Sequence, residues 1–407
     1  MADIEENYSG KKVVIGLTGR MDSCVAALLL KKQGMQVIGV SLVTVGNDEY
    51  SSEENAPKCH LSNLEQVREF CDQLSIPFYA ADAKSEFDST VFDPVVSRKL
   101  TAQANNSCLD CTKMRIHILY DKMKKLKADY MATGHYCKIH KNINSSQYFI
   151  HGNNDPASDQ AFLLAGISGE YLKHLILPLG ELKKEEVVRI AHRFGLKCLD
   201  SKVRKEFCFQ NKESYYDKAM ARIPKSMIKE GQIQNIKTEL YHGDHDGIVE
   251  FHIGQSDLPF KSMSAAEAEL EIVSYNFVNG LIVVGDKSHL TYNAFQIVYL
   301  NLGEGLDKSR PMSCFIKNKY STAFHKCNLY FKNNDSALIE IDGSLYPLIE
   351  AESFVIFDRC TRNAKVIGMG STGNIGDFKL IDRAEEFRSS ESEEEIKVST
   401  RSGMFKF

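Results

Sequence analysis

Four short stretches carry residue types able to do chemistry. The first is Gly16-Leu17-Thr18-Gly19-Arg20-Met21-Asp22-Ser23, between an apolar run (Val13 to Leu17) and a segment of long aliphatic residues. After a buried strand, such a turn points successive backbone N–H groups one way, and the next helix adds its positive N-terminus. The Thr18 and Ser23 hydroxyls can donate to phosphate oxygens in that cradle, and Asp22 can hold a Mg²⁺ ion. The same residues also suit an ordinary strand–helix junction, with Asp22 or Ser23 as its N-cap. Arg20 stands where a phosphate loop favours a residue without a side chain. If the backbone there has φ > 0, a non-glycine residue costs on the order of 1 kcal/mol. Its guanidinium then either grips phosphate or fills the pocket.

The second stretch, "NNSCLDCTKMR", puts Cys108 and Cys111 in a C-x-x-C at the start of a helix. There the helix N-terminus, Lys113 and Arg115 favour a thiolate. The pair suits redox exchange, half of a zinc site or part of an iron–sulfur site, or is two core cysteines. No second C-x-x-C or nearby His pair completes a four-ligand zinc site. In the third, "KVRKEFCFQNK", Cys208 is flanked by Lys202, Arg204, Lys205 and Lys212, a setting that lowers a thiol pKa, although "FCF" also reads as a core triplet. The fourth, "YMATGHY", ends a strand with Gly134, which lets a ligand approach closely, and His135, a phosphate contact or a cap.

These stretches must be held by an alternation of strand-like and helix-like patterns over the first 200 residues: "KKVVIGL", "QVIGVSLV", "PFYAAD" and "DYMATGH" as strands, with helices between. Such alternation predicts an α/β domain with a doubly wound parallel sheet, whose ligands bind at the carboxyl ends of the strands. "KKEEVVRIAHRFG" (Lys183 to Gly195) reads as an amphipathic helix ended by Gly195. After about Gly231, short apolar runs recur between Gly, Asn and Asp clusters, the pattern of small barrels or sandwiches. The charged, Ser-rich tail from Glu385 is expected to be disordered. No internal repeat is present.

Composition narrows the class. The chain has 407 residues, 43% hydrophobic and 26% charged, enough for two or three domains. Eleven scattered cysteines do not form the framework of a small secreted domain, and the N-terminus has no signal-like apolar stretch, so a cytoplasmic protein is expected with no membrane partner. A net charge of −4 argues against indiscriminate nucleic-acid binding. Local basic runs such as Asp121 to Lys127 leave room for a specific RNA contact, and serve equally as solvated faces.

With these features in this order, the chain resembles the tRNA-specific 2-thiouridylases of the pyrophosphatase-loop superfamily. "SDQAFLL", "PLGELKKEEVVRIAHRFGL" and "HDGIVEFHIGQ" extend the likeness over nearly the whole chain. The resemblance implies an ATP-binding α/β domain (1–205), a small central domain (206–270), a C-terminal β-barrel (271–384) and the tail (385–407). It implies ATP and Mg²⁺, tRNA as partner, and a persulfide-donating relay protein or cysteine desulfurase. ATP would adenylate the 2-oxygen of the wobble uridine, and a cysteine persulfide would deliver sulfur. Carried over by position, Cys208 bears the persulfide and Cys111 assists. Gly16, Leu17, Thr18, Gly19, Arg20, Met21, Asp22 and Ser23 hold ATP, with Leu42 and Gly134 beside the adenosine. His135, Ser158, Asp159, Gln160, Lys319 and Tyr320 contact tRNA, and Asn106, Ser107 and Cys108 the target base. In some relatives three cysteines hold a [4Fe-4S] cluster, a count that Cys108, Cys111 and Cys208 fit.

The chain also departs from the family pattern. Ser-Gly-Gly-x-Asp-Ser becomes Thr18-Gly19-Arg20-Met21-Asp22-Ser23, and "QANNS" loses the two prolines expected before the cysteines. A non-catalytic tRNA-binding paralogue, with Arg20 filling the phosphate site, is therefore the alternative to the enzyme. An amide-forming synthetase of the same superfamily has no need of the Cys111 and Cys208 pair.

Overall fold

The computed structural model describes residues 8–44, 64–142, 146–198, 215–258, 269–303, 306–318, 323–361 and 363–373. Its first sheet contains β1 (Lys12–Gly16), β2 (Gln36–Val43), β3 (Phe78–Asp82) and β4 (Tyr130–Ala132). A hairpin of β5 (Cys137–Lys141) and β6 (Tyr148–Gly152) precedes β7 (Leu175–Ile176), which closes the sheet in the order β3-β2-β1-β4-β7. Every pairing in this sheet is parallel. The helices are α1 (Met21–Lys32), α2 (Leu64–Gln73), α3 (Lys84–Phe87), α4 (Asp93–Leu100), α5 (Ser107–Lys125), α6 (Ala161–Leu164), α7 (Gly169–Leu172) and α8 (Lys184–Arg193).

The apolar run of β1 is explained by burial on both faces, as a central parallel strand requires. Val13 and Ile15 join the core of α1, α2 and α8, whereas Val14 joins Ile116, Leu119 and Met131 on the α5 side. The α8 pattern buries Val187 and Ala191, and Gly195 at φ +54 turns the chain away beyond its end. Strand order reverses at β1, between β2 and β4. That reversal opens a crevice at the carboxyl ends of β1 and β4, the edge where the Gly16–Ser23 turn and the Gly134-His135 turn both emerge.

A short α9 (Tyr215–Met220) leads to a second sheet, built from β8 (Gly231–Asn235), β9 (Tyr241–His245), β10 (Glu271–Asn276) and β11 (Leu281–Gly285) in the order β10-β11-β8-β9. The last six strands, β12 (Tyr292–Leu302), β13 (Met312–Asn318), β14 (His325–Phe331), β15 (Ala337–Leu345), β16 (Ser353–Phe357) and β17 (Val366–Thr372), form a closed antiparallel barrel. Strands β10 and β11, grouped with the barrel in the sequence reading, pair with each other and with β8, which puts the change of sheet between Gly285 and Tyr292.

The barrel touches the lead-in to α5 directly. Ala104 N donates to Glu350 O at 2.9 Å and Asn106 Nδ2 to Ala351 O at 2.8 Å. Among the described residues, no helix is long and apolar enough to cross a membrane.

Candidate functional site

The turn after β1 is held by its own side chains. Ser23 Oγ accepts from Thr18 N at 3.2 Å, lies 3.3 Å from Thr18 Oγ1 and donates to Arg20 O at 3.0 Å. The left-handed residue is Gly19, at φ +75, where an added Cβ would come within 3.2 Å of Val67 Cγ2. Arg20 is the extended N-cap of α1, at φ −89 and ψ 156. The backbone strain considered for Arg20 therefore does not exist: glycine is needed one residue earlier, and an arginine fits the cap position without cost to the backbone.

Neither Asp22 nor Ser23 caps α1. Asp22 Oδ1 instead accepts from the Tyr136 hydroxyl at 2.6 Å and from the ammonium of Lys184, the first residue of α8. The Lys184 and Asp22 side chains are 12% and 26% exposed, so this pair is far less screened than a surface ion pair. Lys184 Nζ also lies over the Tyr136 ring, 5.6 Å from its centroid. Burial, joined by the Asp22 charge, pushes the Tyr136 pKa well up and keeps its hydroxyl protonated for donation.

The turn after β4 packs onto this loop. A Cβ on Gly134 would lie 3.0 Å from Asp22 C and from Ser23 N, so it is the chain's own backbone that approaches this glycine. His135 Nδ1 is 2.8 Å from Thr133 Oγ1. Burial, and then the Arg115 guanidinium, push the His135 pKa down to about 4 against the opposing pull of Asp22, so its imidazole is neutral near pH 7. Arg115 lies one helical turn after Cys111 on α5 and donates Nε–H to its Sγ at 3.1 Å. Cys108 and Cys111 are half-buried. Cys24, Cys71, Cys137, Cys314 and Cys327 are buried thiols, and burial lifts Cys71 to about 12. Four separated segments thus contribute here: Asp22 of α1 pairs with Lys184 of α8, Arg115 holds Cys111 on α5, and His135 after β4 feels the charges of both Asp22 and Arg115.

Comparison with known proteins shows the family. The tRNA-specific 2-thiouridylase MnmA of Clostridium beijerinckii is 33% identical over 249 residues, 60% of this chain and 68% of that protein. The chain belongs to the tRNA-specific 2-thiouridylase family. The tRNA-specific 2-thiouridylase MnmA of Clostridium acetobutylicum is 29% identical over 351 residues, 86% of this chain and 96% of that protein. A sequence model described as the tRNA methyl transferase HUP domain matches residues 11–212. Among solved structures, a 4-thiouridine synthetase–RNA complex with bound ATP aligns at 18% identity over 46% of this chain and 43% of its own, with a TM-score of 0.31, too distant to carry weight.

Several residues assigned through the family resemblance have structural partners of their own. Leu17, Met21 and Leu42 are core side chains, and Leu17 N donates to Val40 O at 2.8 Å. Ser158 Oγ donates to Asp155 Oδ2 at 2.7 Å. Asp159 Oδ1 accepts from the backbone of Asn153 and Ala161, at 2.9 and 3.2 Å, and burial raises its pKa against those bonds. Gln160 brackets Tyr136, accepting from Tyr136 N through Oε1 at 3.0 Å and donating its own N–H to Tyr136 O at 3.0 Å. It thereby fixes the tyrosine that holds Asp22. Asn106 and Ser107 are buried at the start of α5, with Ser107 N bound to Asn105 Oδ1 at 2.9 Å.

Cys208, Lys319 and Tyr320 lie outside the described residues. Cys108 and Cys111 are one turn apart, and no group of three or more His, Cys, Asp or Glu among the described residues could hold a metal ion. With a guanidinium against the Cys111 sulfur, the described side chains do not by themselves form a cluster site. Lys184 and Tyr136 were not among the residues singled out from sequence. Lys184 opens an amphipathic helix that reads as solvated, and its burial follows from a residue 162 positions away.

Proposed function

We propose that this chain is an ATP-dependent sulfurtransferase that converts the wobble uridine of tRNA to 2-thiouridine. Family membership supports the reaction class, and one observation carries the assignment of parts: the Gly134-His135 turn packs on the backbone of Asp22 and Ser23, and His135 feels the charge of Arg115, which holds Cys111. Activation and sulfur delivery then meet at one crevice. The α1 N-terminus, the backbone N–H groups of the loop, Arg20 and Lys184 bind the phosphates of ATP. Asp22 is the carboxylate that would hold Mg²⁺, which neutralises phosphate charge when bound; its pairing with a cation in this structure fits that role.

The uridine 2-oxygen bonds to the α-phosphorus, and pyrophosphate leaves. The terminal sulfur of a Cys208 persulfide then bonds to C2 while the C2–O bond breaks, releasing AMP. Cys111, as thiolate, attacks Cys208 Sγ and closes a disulfide, which leaves sulfur on the base; an external thiol reductant reopens the pair. A persulfide-donating relay protein or cysteine desulfurase reloads Cys208. A tRNA-binding relative without catalysis is the second reading, favoured only by the charge at Arg20.

AMP release from ATP, with and without unmodified tRNA, separates these readings when measured for the native protein and Arg20→Gly. RNA-dependent AMP from the native protein is expected. AMP from Arg20→Gly alone would make this a tRNA-binding relative with a blocked loop, and AMP from neither would overturn the enzyme assignment.

A further inference from the structure

We propose that Arg115 is a positioning residue for sulfur transfer: its guanidinium fixes the Cys111 sulfur and presents positive charge to an anionic acceptor entering from the nucleotide loop. The inference rests on the sulfurtransferase reading above. Three cations surround the C-x-x-C, and the structure distinguishes them. Arg98 is paired with Asp110, NH1 to Oδ2 at 2.5 Å. Lys113 lies along Gly166, where an added Cβ would come within 2.8 Å of its Cε. Arg115 alone of the three is recorded against sulfur, with Nε 3.1 Å from Cys111 Sγ.

The (i, i+4) spacing places both side chains on one face of α5, and the guanidinium, planar and permanently charged, sets the direction of the bond. Its charge also reaches His135, whose pKa it helps to depress, and His135 in turn feels Asp22. Leu119, one turn beyond Arg115 on the same face of α5, would lie 3.7 Å from a Cβ placed on Gly16, so this face of the helix is turned toward the start of the nucleotide loop. The adenylated base arriving there carries a phosphate, and a fixed cation beside the thiol would orient it. A sulfur displaced by about 1 Å is enough to cost on the order of a hundredfold in rate.

The test uses the full chain and two alkylating probes, anionic iodoacetate and neutral iodoacetamide, with Cys111 modification followed by peptide mass spectrometry. One unit charge at about 4 Å in water changes the local concentration of an anion about fivefold. The iodoacetate-to-iodoacetamide rate ratio at Cys111 should fall about fivefold in Arg115→Met and be restored in Arg115→Lys. In single-turnover tRNA assays, Arg115→Met should lose thiolation while keeping RNA-dependent pyrophosphate release, the step before sulfur attack. An unchanged ratio in a folded Arg115→Met, or in Arg115→Gln should the methionine variant fail to fold, overturns the inference. So does equal loss of thiolation and pyrophosphate release, which marks a structural role. Alkylation needs neither ATP nor tRNA. A ratio that falls in protein whose native form never thiolates would sink the sulfurtransferase reading and leave the Arg115 contact standing.

Discussion

Replacing Gly134 with alanine should separate the two turns that make the crevice. The new Cβ would sit 3.0 Å from Asp22 C, 3.0 Å from Ser23 N and 3.1 Å from Asp22 O. Carbon contacts relax at about 3.5–4 Å, so the turns must part by about 0.5–1 Å. All three atoms belong to the backbone of the first turn of α1, so no side chain can rotate aside. Overpacking of this kind costs about 1–3 kcal/mol. Taking about 2 kcal/mol, and a domain of about 200 residues, the melting temperature should fall by about 4–8 °C. The same displacement moves Asp22 from Lys184 and Tyr136, and should lower RNA-dependent AMP release by about ten- to a hundredfold. Gly16→Ala is the control, because its Cβ would meet only Leu119 Cδ2 at 3.7 Å and Ala132 O at 3.9 Å, ordinary contacts. Thermal denaturation of both variants decides the matter. If Gly134→Ala melts with the native protein, or Gly16→Ala falls as far, the packing argument is wrong.

Two further outcomes follow from buried bases. His135 and His151 are each pushed down to about 4, in both cases mainly by burial, from an ordinary value of 6.5. The folded state then binds fewer protons than the unfolded chain, so stability is full above about pH 6.5 and is lost as pH falls toward 4, by about 3 kcal/mol for His135 and by less for His151, whose charge water partly screens. Urea denaturation from pH 7 to 4 should show this slope, and His135→Asn should remove the larger part of it; an unaltered slope would contradict the assignment. Lys99, whose amine donates to Phe251 O and lies 4.8 Å from the Tyr275 ring centroid, is pushed down to about 7 by burial. Its folded pKa is below its unfolded one, so stability should rise from pH 7 to 10. Lys99→Met should flatten that rise, and a persistent slope would assign it to another group.

Local pattern made much of the first domain legible. The run around Val14 announced a strand buried on two faces, and the spacing of Val187 and Ala191 announced α8, because both signals lie within a few residues. The C-x-x-C at the head of α5 was equally readable. What escaped was contact across long separations. Tyr136 and Lys184 reach Asp22 over 114 and 162 positions, and neither has a local feature that marks it. Strands β10 and β11 are short apolar runs much like those of the barrel, and only their partners reveal the sheet they serve. Which residue of Gly19-Arg20 carries the left-handed backbone was likewise a matter of geometry, since the pattern allowed either.

That last point decides how Arg20 acts. Its backbone is extended and relaxed, so the arginine alters the loop through its side chain and not through backbone strain. A cation at the N-cap of α1 adds its charge to the positive end of the helix, an arrangement that favours a bound anion. Asp22, the carboxylate of the first turn, is shared with Lys184 and Tyr136. An oxyanion bound at the α1 N-terminus would satisfy the helix end, Arg20 and Lys184 together, and would free Asp22 for a metal ion. The loop thus brings two cationic residues and a helix N-terminus to a backbone already set in shape. Such a site gains more from a polyphosphate than an uncharged glycine loop does, which is why the native arginine is expected to support nucleotide binding and not to obstruct it.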